Sequence, residues 1–178
     1  DEAREILTRI RKLLEEIRKE AEEVSERHKR LVDELDKEVK DINKRAEDLL
    51  RELAEIVKRG DVDKRRIEEE VRKINEEHKD RVRRIADRVK KINKELEDIV
   101  RELKKKVEDV LRELARLIKD VDEKEVRKVL EEIKRVLEEL KRHAEDNLRR
   151  AREVLKKLAD EAKRVNERSE ELLRELKK

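Results

Sequence analysis

The sequence predicts an all-α fold: a single-chain, antiparallel (up-down-up) three-helix bundle of long, near-straight, coiled-coil-like helices. Three observations predict it. Apolar residues recur at helical spacing along almost the whole chain. That pattern breaks only twice, near residues 60 and 120, and each break carries the same helix-start signal. The third is composition. Of 178 residues, 59% are charged and 34% apolar, with one Gly and no Pro, Cys, Met or aromatic residue. Such a mixture of charged and aliphatic side chains suits long helices.

The first helix follows from one ladder. Ile6, Ile10, Leu13, Ile17, Ala21, Val24, His28, Leu31, Leu35, Val39, Ile42, Ala46, Leu49, Leu53 and Ile56 step along the chain at about 3.6 residues each. Leu7, Leu14, Val32, Leu50 and Val57 form a second column beside it. A stripe this wide suits a helix with two neighbours. The second ladder runs from Ile67 to Val121, through Val71, Ile74, Val82, Ile85, Val89, Ile92, Leu96, Ile99 and Leu103. The third runs from Val126 to Leu176, through Ile133, Leu140, Ala144, Ala151, Leu158 and Val165.

The breaks have a mechanism. Gly60 can take the left-handed conformation that ends a helix, and Lys58 and Arg59 precede it at the negative helix end. Asp63 and Asp122 each precede a ladder and can cap a helix N-terminus. Val62 with Ile67, and Val121 with Val126, sit where a hydrophobic staple forms, and Glu125 would complete a capping box. Helices are therefore expected at about 2–59, 63–119 and 122–177, in one domain spanning 1–178. Loops this short make successive helices antiparallel.

Composition also excludes functions. No Cys means no disulfide, thiol nucleophile or thiolate metal site. No aromatic residue means no stacking platform for single-stranded nucleic acid. The 54 basic and 51 acidic residues are interleaved, so no basic stripe follows a phosphate backbone. No apolar run is long enough for a membrane span or signal peptide. No nucleic-acid or membrane partner is expected, and no natural compartment. The chain is expected to be soluble, and cytoplasmic on recombinant expression.

The informative residues interrupt the apolar face. They are Ser25, His28, Asn43, Asn75, His78, Asn93, His143, Asn147, Asn166 and Ser169, and they include every His and every Asn. Facing residues across the first loop have numbers that sum to about 121, which pairs His28 with Asn93 and Asn43 with His78. Helices one and three run parallel with an offset near 120. The residues then collect into two layers. One holds Ser25, His28, Asn93, Asn147 and His143. The other holds Asn43, Asn75, His78, Asn166 and Ser169. A repeat agrees with this grouping. Ser25-Glu-Arg-His28-Lys29 matches Asn75-Glu-Glu-His78-Lys79 at an offset of 50, and residues 39–53 match 89–103 at ten of fifteen positions. The layers read as near-copies related by a pseudo-twofold axis.

His, Asn and Ser both donate and accept, so they can satisfy one another in a dry core and penalise helix registers that separate them. This structural reading is preferred. A zinc site needs three or four converging ligands, whereas His28 and His143 differ by roughly 9 Å in height and His78 belongs to the other layer. No metal, cofactor or catalytic residue is expected, and no enzymatic activity. Two alternatives stay open. Buried His could make the bundle respond to acid. The chain could also be one component of a designed helical hetero- or homo-oligomer rather than the expected monomer.

Near-ideal helices, staple-and-cap loops, absent aromatics and His/Asn/Ser layers resemble computationally designed helical bundles with buried hydrogen-bond networks. The resemblance covers the whole chain and rests on style rather than a catalytic motif. It implies a structural scaffold without natural biochemical activity, in which the networks specify helix pairing.

Overall fold

The computed structural model describes residues 2–60, 62–117 and 119–178. It is a three-helix bundle with no strand among the described residues: α1 is Glu2–Lys58, α2 is Lys64–Leu117 and α3 is Glu123–Lys177. They contain 57, 54 and 55 residues, so each is about 80–85 Å long.

The outer ends, Glu2 and Lys177, fall where expected, and at the two turns the helix limits lie one or two residues inside those expected, because the loop residues close turns of their own. Arg59 N–H donates to the carbonyls of Glu55 and Ile56, and Gly60 N–H donates to Val57. Gly60 has φ +88°, the only positive φ among the described residues. Asp63 and Asp122 stand just outside α2 and α3 as caps. The Asp63 carboxylate accepts from Arg65 N–H at 3.2 Å, and that of Asp122 from Lys124 N–H at 3.5 Å. Val62 lies against the cluster that holds Ile67, and Val121 against the one that holds Val126. One expected detail is absent. Glu125 donates its backbone N–H to the Asp122 carbonyl at 3.1 Å, and neither reciprocal side-chain bond of a capping box forms among the described residues. The expected span 63–119 contains Ile118, which lies outside the described residues.

A Cβ at residue 60 would meet no atom within 4 Å. The cost of Gly60→Ala is thus purely conformational. It is expected to lower stability by about 1 kcal/mol in urea melts followed at 222 nm.

The chain divides into two compact units, and each helix contributes a segment to both. Unit 1 comprises Asp1–Arg30 and Ile92–Arg150. Its core joins Ile10, Leu14 and Ile17 of α1 to Leu103, Val107 and Leu114 of α2 and to Val129, Ile133 and Leu140 of α3. Unit 2 comprises Leu31–Lys91 and Ala151–Lys178. Here Ala46 and Leu50 of α1 meet Ile67 and Val71 of α2 and Val165 and Leu172 of α3. All three helices thus meet within each unit. Each buried Leu, Ile or Val contributes roughly 1.5–3 kcal/mol, which makes the aliphatic ladder the source of stability.

Ion pairs decorate the outside. Most join residues three or four apart on one helix, such as Arg72–Glu68 at 2.8 Å. Others tie helices together. The Arg18 guanidinium forks onto the Glu139 carboxylate at 2.9 and 3.0 Å in unit 1, and Arg88 reaches Glu38 at 2.7 Å in unit 2. Exposed pairs of this kind are worth about 0–1 kcal/mol each.

Candidate functional site

The residues that leave the aliphatic pattern form a polar cluster in each unit. In unit 1, α1 supplies Ser25 and His28 one turn apart on its inner face, and both are buried. His28 Nε2 lies 2.9 Å from Asn93 Oδ1 of α2. A carboxamide oxygen only accepts, so Nε2 carries the proton and donates. Asn147 of α3 donates from Nδ2 to Ser25 Oγ at 2.9 Å and reaches the Ser25 carbonyl at 3.4 Å. The cluster therefore couples α1 to α2 through His28 and α1 to α3 through Ser25. It is not fully satisfied: His28 Nδ1 and Asn147 Oδ1 are buried and have no partner. In the neutral imidazole both are acceptors, so they cannot satisfy each other directly.

In unit 2 the bonds form a chain. His78 Nε2 of α2 donates to Asn43 Oδ1 of α1 at 2.6 Å, and Asn43 Nδ2 donates to the Glu161 carboxylate of α3. One side chain, Asn43, holds all three helices together, and aligned bonds of this kind polarise and strengthen one another. Nearby, Asn75 Nδ2 of α2 donates to Asn166 Oδ1 of α3 at 3.3 Å. Ser169 is buried but turns back on its own helix, donating to the Val165 carbonyl at 3.0 Å.

Both bonded imidazoles are held below the ordinary histidine range. For His28 the cause is burial, opposed by the bond to Asn93, which favours the charged form. For His78 burial again leads, Arg81 adds repulsion and Glu47 opposes them. Both side chains are therefore neutral near pH 7.

The structure brings nine of the ten expected network residues to side-chain hydrogen bonds, though Ser169 crosses to no other helix. His143 stays apart. It is half-buried and makes no hydrogen bond among the described residues. Glu161 is the network member that sequence reasoning missed. A signal existed: Glu161 lies 118 residues past Asn43, close to the helical offset, and occupies the inner side of α3 between Leu158 and Val165. Its charge, typical of a solvated residue, masks that position.

Among the described residues no group of three or more His, Cys, Asp or Glu could hold a metal ion. No helix among them is long and apolar enough to cross a membrane. The grooves between helices are open and lined by charged side chains. One in unit 1, between α1 and α3, is about 320 Å³ and carries Arg11, Arg18, Arg135, Glu15, Glu132 and Glu139 on its walls.

No family model matches this chain, and no curated protein matches it. A solved structure described as "Computationally designed three helix bundle" is similar over 99% of this chain and 86% of its own, at 17% sequence identity and a TM-score of 0.46.

Proposed function

We propose that this chain is a designed structural scaffold without enzymatic activity, in which the His, Asn and Ser residues specify how the helices pair. One observation carries the reading. Every Asn in the chain, and both buried His, make side-chain bonds that cross from one helix to another. Lys, Arg, Glu and Asp dominate the outer surface. Aliphatic ladders alone are degenerate, because a helix slipped by one heptad, or a third helix on the other side of the hairpin, buries almost the same area. A polar pair removes that degeneracy, since each wrong register leaves buried donors and acceptors unpaired at about 1–3 kcal/mol apiece.

The test replaces Ser25, His28, Asn43, Asn75, His78, Asn93, Asn147, Asn166 and Ser169 with Leu, Ile or Ala of matching size. The apolar chain is expected to melt at higher urea concentration yet to populate several species, seen as extra amide cross-peaks and mixed masses in light scattering. A single mass with a single set of cross-peaks would remove the specifying role.

A further inference from the structure

The α1–α2 groove of unit 1 differs from its neighbours in charge. Leu13, Ile17 and Val110 line it, in a volume of about 320 Å³, and Leu13 is 37% exposed. Glu16, Glu20, Asp109 and Glu113 stand on its rim against Lys106 alone. That lysine already lies 3.4 Å from Glu20, and Asp109 is matched by Arg112 on its own helix at 3.4 Å. Glu16 and Glu113 form no ion pair among the described residues. The α1–α3 groove of the same unit, equal in volume, instead carries three Arg and three Glu, bridged by the Arg18–Glu139 fork. Acidic excess around exposed leucine is thus particular to the α1–α2 face.

A surface of opposite character lies on α3. Leu130 is 42% exposed, above Leu13, Leu49 and Ile56. Arg127 precedes it, and Lys134, Leu137 and Lys141 follow it, at helical spacing. The three cations are exposed and form no ion pair among the described residues. One acidic residue, Glu123, stands at the start of this stripe. The stripe spans about four turns, or roughly 21 Å.

We propose that the Leu130–Leu137 stripe on α3 of one copy docks into the acidic α1–α2 groove of a second copy of this chain. Leu13 and Leu130 leave water together, and Arg127, Lys134 and Lys141 face an acidic rim on which Glu16 and Glu113 have no cation of their own. The two surfaces are different, so the contact is head-to-tail: a pair of copies keeps one free groove and one free stripe, through which further copies add. A contact of four turns on one helix buries less than the roughly 1,200 Å² of a stable complex. The association therefore belongs with weak, transient contacts and is loosened by salt.

Sedimentation equilibrium tests it across roughly 10 μM to 1 mM. The unmodified chain is expected to rise in mean mass at the upper end, and less so at high salt. Leu13→Lys removes the groove and Leu130→Glu removes the stripe, so each variant alone is expected to stay monomeric. Mixed in equal amounts they retain one good surface each and should form a dimer that grows no further. A second pair leaves the leucines in place. Glu16→Lys with Glu113→Lys makes groove and stripe both basic; Arg127→Glu with Lys134→Glu makes both acidic. Each of these chains should repel itself, and mixing them should restore growth. The proposal is overturned by a monomeric unmodified chain at all concentrations, by single variants that associate unchanged, or by mixtures that remain monomeric.

Discussion

Asn43→Leu is expected to destabilise the chain by about 2–4 kcal/mol, the largest loss for any single polar side chain in the bundle. Asn43 satisfies His78 on α2 and Glu161 on α3 at once. Replacing it leaves the His78 Nε2–H buried at 4% exposure without an acceptor. It also takes a donor from a half-buried carboxylate, which must then turn to water. By contrast, Asn43→Leu with His78→Leu removes both ends of the buried bond and fills the space with aliphatic volume. The double variant is expected to recover most of the loss, because stability suffers from unpaired polar groups more than it gains from paired ones. A double-mutant cycle from urea melts measures this. A single-variant cost below about 0.5 kcal/mol, or a double variant weaker than the single, contradicts the account.

The second large effect is acid sensitivity. Unfolded, His28 and His78 titrate near 6.5; folded, both lie lower, chiefly through burial. Between those values the unfolded chain binds more protons than the folded one. Stability is therefore full above the unfolded value, falls as pH drops through about 6.5, and stops falling below the folded values. The structure gives the local reason. Protonation puts a hydrogen on His28 Nδ1, which has no partner in its buried position, and sets a second cation beside Arg81 at His78. The urea midpoint is expected to be lower at about pH 5.5 than at pH 8, in the window set by the imidazoles rather than the carboxylates. His28→Gln with His78→Gln should flatten that dependence, and a slope that survives both substitutions would place its origin elsewhere. His143 is half-buried and unbonded among the described residues, and His143→Gln serves as the control.

The helices and their ends were legible because their causes are local. Period, cap and staple all act within a few residues of one another, so Gly60, Asp63 and Asp122 mark the turns in the sequence itself. Helix pairing was legible for a related reason. Short loops and a constant rise of about 1.5 Å per residue turn sequence numbers into heights. On that scale His28 is level with Asn93, and Asn43 with His78; the structure places those pairs at 2.9 and 2.6 Å.

Side-chain direction was not legible. Ser25 and Ser169 both lie on the inner face, yet Ser25 accepts from α3 while Ser169 bonds to the carbonyl one turn behind it. A serine hydroxyl reaches either target by rotating one bond, and only its neighbours decide which. Glu161 shows the same limit for charge. Its residue type assigns it to water, but an unpaired Asn43 amide within reach offsets the cost of half-burying its carboxylate.

By itself, then, the sequence determined three helices, two turns, the aliphatic faces and the heights of the polar residues, because backbone geometry repeats identically along each helix. Only the tertiary structure decided which polar atoms meet. It recruited Glu161, left His143 aside, and stranded His28 Nδ1 and Asn147 Oδ1 without partners. A hydrogen bond depends on tenths of an ångström and on rotamer choice, and those are set by what packs against each side chain rather than by its place in the chain.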